Sequence, residues 1–421
     1  MSFDIALSGI QAINEQLDTV SHNIANAGTY GFKSGRANFS AMVAGSQPTG
    51  TEIGSVTQSI GLSGGVLNTG RSLDASINGR GFFVTKTAQG ETQYTRVGIF
   101  DADKSGFLVD ASGRRVQGFG LKPPSTILGA QGDLAIPTGQ IAAVASSKMN
   151  YVGNMSADWT IPTGGAFGPI PAAPVTPTTP PDPTTFNMSK TSIVYDSLGT
   201  QHTLTQYFVA AAPGGGNQNV TVHYVLDGTE DAASATTLSF SAATGQMVAP
   251  AGPPANVVTL NLPGFANQPA SGATFNKLAV DYTGTTMFAG EATTSTNAVD
   301  GYASGVFAGV DLATDGSVIA KYTNGQKQSV GKIAIATFPD EGALTSVSDT
   351  SWIESSNSGT PLVTTAGSGM AGSLNTSSLE QSNVDITSEL VGLMTSQRNY
   401  QANSKVIQTE STMMQSLMQA V

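Results

Sequence analysis

Four groups of residues in this chain have types and spacings that could do chemistry. Gly61-Leu62-Ser63-Gly64-Gly65 fits the G-x-S-x-G pattern, in which a tight turn presents a nucleophilic serine between a strand and a helix. It lies in a Ser/Gly/Thr stretch with no helical period after it, so it reads as a flexible glycine loop. Asp101-Ala102-Asp103-Lys104-Ser105-Gly106 opens like a calcium loop, whose alternate carboxylates ring a cation. The twelfth position is Ser112 rather than a bidentate glutamate, and no helical pattern flanks it, so a turn between strands is expected. His22, His202 and His223 are scattered and lack the paired spacing of a zinc helix. Asn154, Asn187 and Asn219 head N-x-S/T triplets. No phosphate-binding or dinucleotide fingerprint is present. The expectation is a protein that is not an enzyme, with no catalytic, cofactor-binding or metal-binding residues.

Composition narrows the class further. The chain has 421 residues, only 11% of them charged, with 49 Gly and 20 Pro, so many turns and short strands should follow. Its formal net charge of −11 argues against nucleic acid, whose phosphates need basic patches. The lack of Cys excludes a thiolate metal site, a catalytic thiol and a disulfide framework. No apolar run reaches the roughly 18 residues a membrane helix needs, so no membrane insertion is expected. The opening MSFDIALSGI has no basic residue before its apolar positions, unlike a signal peptide. Either a cytoplasmic protein or export without a cleaved signal is expected.

The elements that position these residues show in the hydrophobic periodicity. Phe3, Ala6, Ile10, Ile13, Leu17, Val20, Ile24 and Ala27 alternate spacings of three and four, the seam of a coiled coil, and predict a helix over 3–27. Gly28 is the expected C-cap. At the other end Leu379, Ile386, Leu393, Tyr400, Ile407, Met414 and Val421 recur every seven residues. Leu390, Leu417 and Met418 widen that stripe and predict a helix over 383–420, with Ser382 and Asp385 as its capping box. Between them the patterning is β. SINGRGFFVT (76–85) and GETQYTRVGIF (90–100) read as strands around glycine turns, and Asn324-Gly325 marks a hairpin. The Pro/Thr/Ala-rich stretch 161–185 reads as an extended loop.

The predicted fold class is α+β and mostly β. The N- and C-terminal helices pair as a coiled coil, and two β-rich domains are nested, the outer inserted in the inner. Residues 1–30 with 378–421 make the helical part, 31–70 with 355–377 a linker, 71–146 with 284–354 the inner β domain and 147–283 the outer one. The terminal stripes either close a globular fold as an intramolecular helical hairpin or pack against further copies of the chain; a two-helix pair has little core of its own, which favours the second.

Four stretches carry a family resemblance. LDTVSHNIANAGTYGF (17–32), followed by Lys33, resembles the N-terminal signature of the bacterial flagellar rod and hook family of axial proteins. INGRGFF (77–83) and YTRVGIFDADKSGFLVDASGRRVQGF (94–119) resemble its β-domain signature. LEQSNVDITSELVGLMTSQRNYQANSKVIQT (379–409) resembles its C-terminal helix. Gly28 and Tyr30 stand where Asn and Thr are common. The residues matching the motifs are Asn23, Asn26, Gly31, Phe32, Lys33, Gly81, Phe82 and Phe83. The long middle, with YDSLGTQHTLTQYF (195–208), resembles the hook branch of the family, with the distal rod branch and a secreted β-rich adhesin as alternatives.

The resemblance implies a subunit that self-assembles into a flexible curved tube, a universal joint passing motor torque to the filament. It implies copies of itself, the distal rod, the hook cap and the hook–filament junction proteins as partners, and the flagellar type III export machinery as its route to an extracellular site. The expected assembly residues are Ile10, Ile13, Leu17, Val20, Ile24, Leu379, Ile386, Leu393, Tyr400, Ile407 and Met414. No cofactor is expected.

Overall fold

The computed structural model describes residues 2–44, 47–121, 127–168, 181–230, 232–252, 254–265 and 272–420. It is mostly β, with one long helix near each end of the chain. Two compact units are formed, one from residues 1–138, 308–321 and 327–421, the other from 139–307 and 322–326.

In the first unit, helix α1 (Ser2–Ala25) carries Asp4 in its first turn, where a carboxylate suits the helix dipole. It stops two residues before the expected end. The Asn26 side chain donates to the His22 carbonyl (2.9 Å) and closes the last turn. The left-handed glycine is Gly31, at φ +68°, and not Gly28. The expected linker then folds as an antiparallel ribbon, β1 (Gly35–Ala44) and β2 (Gln47–Gln58), whose strands, among the described residues, pair only with each other. Its Gly/Ser/Thr residues supply no alternation that would announce strands. The ribbon lies on α1, and the Thr51 amide donates to Ser8 Oγ (3.3 Å).

Helix α2 (Ile386–Ala420) begins later than expected. Asp385 alone caps it, accepting from the Thr387 amide (3.0 Å), while Ser382 accepts from the Val384 amide before the helix starts. Leu379 is not on the helix. It is buried in the short strand Ser378–Glu380, paired with Val66–Asn68.

The β part of this unit is built on a twelve-stranded sheet. Its main path runs Phe307–Leu312, Ser317–Tyr322, Lys327–Thr337, Arg115–Gly120, Phe82–Lys86, Thr92–Thr95, Ser351–Ile353 and Thr345–Val347. The expected hairpin at Asn324-Gly325 joins two of these strands. Phe82, Val84, Tyr94, Ala334, Ala336, Phe338 and Trp352 form its core. Phe82 tilts against Trp352 at 5.4 Å and Tyr94 meets Phe338 edge-on at 4.8 Å, the geometries that ring quadrupoles favour.

The second unit packs a five-stranded sheet around Lys148–Ser156 and a six-stranded sheet around Gln201–Gly214 on one apolar core. Leu204, Phe208 and Ala210 alternate inward along one strand, as a half-buried strand requires. Within that core the Tyr224 and Tyr282 hydroxyls bond each other at 2.8 Å, and Tyr282 donates to Gln206. Much of the expected loop, 169–180, lies outside the described residues; the Pro183–Thr185 turn after it is capped by Asp182.

Burial pushes the Tyr94 phenol up to about 12 and raises Tyr151, Tyr224 and Tyr282 as well. An acid whose folded pKa lies above its unfolded value of 10.0 keeps its proton in the fold while the unfolded chain loses it first. Stability should therefore fall as pH rises from 10 toward 12. Circular dichroism recorded across that pH range checks this, and secondary structure and melting unchanged from pH 10 to 12 would contradict it.

Candidate functional site

The chemistry-bearing residues of the sequence have structural jobs. Ser63 is exposed, and the glycines around it serve close packing: a Cβ at Gly64 would collide with the Gln381 carbonyl oxygen. The segment 61–65 is therefore a docked turn rather than a flexible loop. Asp103 Oδ1 accepts from the amides of Ser105 (2.9 Å) and Phe107 (2.7 Å), closing a turn between two strands. His22 stacks on Phe32 at 5.4 Å. In the second unit His202 lies between Asp196 and Asp227, and His223 contacts Glu230 and stacks on Phe167. Asn154, Asn187 and Asn219 each bond backbone carbonyls with their amide nitrogens. Among the described residues no group of three or more His, Asp or Glu is placed to hold a metal ion.

The two helices pair in opposite directions. Gly9 faces Asn403 near one end, and Asn23 Nδ2 donates to Glu389 Oε1 (2.9 Å) near the other. The buried residues of α1 are Ala6, Gly9, Ala12, Ile13, Val20 and Asn23. They share Ala6, Ile13 and Val20 with the predicted seam but are small or polar at the other positions, which lets α2 approach closely. Ile10, Leu17 and Ile24 sit half-buried at the rim, and Phe3, Ile5 and Leu7 are exposed.

On α2 only Ser396 is buried among the described residues. Leu393 and Ile407 are half-buried. Ile386, Leu390, Val391, Met394, Tyr400, Val406, Met413, Met414, Leu417 and Met418 are exposed, Met418 by 75%. The pair thus leaves most of its predicted apolar stripe uncovered within one chain.

Where α1 ends, the three signatures converge. Asn23 clamps the start of β1, donating to the Gly35 carbonyl and accepting from its amide, both at 2.8 Å. Asn26 accepts from Thr29, and Phe32 is buried on His22. The Gly31 amide donates to the Glu380 carbonyl (2.8 Å). Asn383 accepts from the Ser34 amide (2.7 Å) and donates to the Ser59 and Leu62 carbonyls.

At the centre is a buried charge cluster. Lys33 Nζ lies 2.6 Å from Glu380 Oε1, and Arg96 Nη1 lies 3.3 Å from Glu380 Oε2, with all three side chains at most 2% exposed. Lys33 also donates to the Leu62 carbonyl (2.7 Å), and Arg96 to Gly79 (3.0 Å) and Ile77. The Gly64 amide donates to Glu380 Oε1 (3.1 Å). Burial lowers the Lys33 and Arg96 pKa values, and Glu380 opposes that in both. Arg96 also stands 5.2 Å from the Phe82 ring. Gly81, at φ +113°, leads into Phe82 and Phe83, which are fully buried. Arg96, Glu380 and Asn383 were not among the predicted site residues. The signal for the first two was their charge, rare in this chain.

Four family models match successive parts of the chain. Residues 3–33 match the family model described as flagella basal body rod protein. Residues 76–157 match the flagellar hook protein FlgE/F/G D1 domain. Residues 164–302 match the flagellar basal body protein FlaE D2 domain, and 375–420 the flagellar basal body rod FlgEFG protein C-terminal. The chain is 33% identical to the flagellar hook protein FlgE of Salmonella typhimurium, over 99% of each chain. It is 34% identical to that of Escherichia coli, again over 99% of each. The crystal structure of the Helicobacter pylori flagellar hook protein FlgE2 shares the fold, with a TM-score of 0.51 at 14% identity, covering 75% of this chain and 100% of that one.

Proposed function

The chain belongs to the flagellar hook protein family and is a structural subunit of the hook, and we propose that α1 and α2 build the inner tube of a many-copy homopolymer. One observation carries this reading. Of the apolar residues that recur every seven positions on α2, Ile386, Tyr400 and Met414 are exposed in the single chain and Leu393 and Ile407 half-buried, and Phe3, Ile5 and Leu7 of α1 are exposed as well. Exposed apolar stripes of this length mark an interaction surface. Regular spacing suits knobs-into-holes packing on identical neighbours.

On this reading residues 1–30 and 378–421 form the tube, and the ribbon with 355–377 links it to the β domains nested outside. Ile10, Leu17, Ile24, Ile386, Tyr400 and Met414 pack between copies, while Ile13 and Val20 hold the pair within a copy. The polymer bends as a universal joint because its outer contacts are small and weakly charged. The chain is not an enzyme, leaves the cell by the flagellar export route, and contacts rod, cap and junction proteins at the ends of the tube. Electron microscopy of the purified polymer should show a curved tube with a central channel; a straight, rigid shaft would sink the reading. Helix pairs with so little core are marginal alone. Limited proteolysis of the soluble subunit should therefore trim both ends to a core of about 70–360, and ends that resist in a proven monomer would contradict this.

A further inference from the structure

The buried charge cluster joins parts of the chain that are far apart. Lys33 and Glu380 are separated by 347 positions, Arg96 and Glu380 by 284. Lys33 belongs to the segment leaving α1, Arg96 to the β sheet region and Glu380 to the strand before α2. Among the described residues, only Glu380 is an anion in direct contact with both cations. Remove it, and an ammonium and a guanidinium share one buried site. Two like charges out of water oppose each other and each lacks its counter-ion. Around them the backbone is stitched through the same residue: the Gly31 amide reaches its carbonyl and the Gly64 amide its carboxylate.

We infer that Glu380 is a latch that makes docking of the N-terminal segment conditional on docking of the C-terminal one. Residues 31–34 and 62–65 close over Arg96 only when 378–383 delivers the carboxylate between Lys33 and Arg96. The two ends of the chain then order together, although neither end's sequence refers to the other. A purely structural contact would predict damage confined to the C-terminal strand; a latch predicts damage in the N-terminal segment as well. It also predicts relief when one of the competing cations is removed.

Full-length E380Q, K33M and K33M/E380Q test this by polymer yield and, on the polymer that forms, by amide hydrogen exchange. E380Q should exchange about a hundredfold faster at 31–34 and 62–65, the scale expected when one partner of a buried ion pair is lost, with the strand Phe82–Lys86 unchanged. Polymer yield should fall about tenfold. K33M, which leaves a neutral Glu380–Arg96 pair, should be milder than E380Q. K33M/E380Q should recover at least about threefold in yield over E380Q, because the like-charge clash is gone. Unchanged exchange at 31–34 and 62–65 in E380Q overturns the latch. So does a double variant no better than E380Q, and this arm remains readable if E380Q fails to assemble.

Discussion

Ile13→Asp is expected to abolish hook assembly while both β units stay folded. Ile13 is 6% exposed and lines one cavity with Gly9, Phe39, Ala402 and Asn403, where α1, α2 and the ribbon meet. Burying an isoleucine contributes about 1.5–3 kcal/mol, and the aspartate adds an unpaired carboxylate in the same place. The helix pair has almost no other buried apolar residue on the α2 side, so a loss of several kcal/mol exceeds what holds it. The cores around Phe82 and Trp352, and around Tyr224 and Tyr282, do not include Ile13. The soluble variant should keep its strand circular dichroism and its cooperative melting, and cells making only this variant should lack hooks. Normal hooks would remove the assembly role assigned to α1.

That expectation shows which parts of the fold the sequence made legible. Periodicity placed both helices to within a few residues because apolar spacing of three and four is a local signal. It also placed Phe82–Lys86 and the Asn324-Gly325 hairpin, whose turn chemistry is local too. The ribbon was not legible: a Gly/Ser/Thr-rich segment without alternation reads as linker, and it becomes a ribbon by lying on α1. Gly28 was the natural C-cap by position, but the left-handed turn comes three residues later, where the Gly31 amide must reach Glu380.

The charge cluster was hidden for a related reason. Lys33, Arg96 and Glu380 each sit in a quoted signature, yet nothing local says that three signatures meet in space. The same holds for Gly64. Its motif matched a nucleophile turn, and its use is to let two backbones touch at Gln381. Sequence spacing reports what neighbours along the chain do; these residues answer to neighbours hundreds of positions away. The exposed stripe of α2 is the converse case, legible as periodicity but unexplained by any contact inside one chain.

Leu417→Asp should separate the two uses of the helices. Leu417 and Met414 are 63% and 64% exposed on α2. Substitution at such a position changes subunit stability by no more than about 0.5 kcal/mol, so melting and protease resistance should match wild type. In the proposed tube the same side chain is covered, and losing a buried leucine while burying a charge should cost at least about 3 kcal/mol per contact. Each 1.4 kcal/mol is a factor of ten in an equilibrium. The concentration needed for assembly should therefore rise about a hundredfold or more. Ile13→Asp loses both the helix pair and the polymer; Leu417→Asp loses the polymer alone. Sedimentation of purified subunits across a concentration series reads the difference directly. A Leu417→Asp protein that polymerises at the wild-type concentration would mean that the exposed stripe of α2 faces solvent in the hook, and the tube contacts would then have to come from the rim of α1.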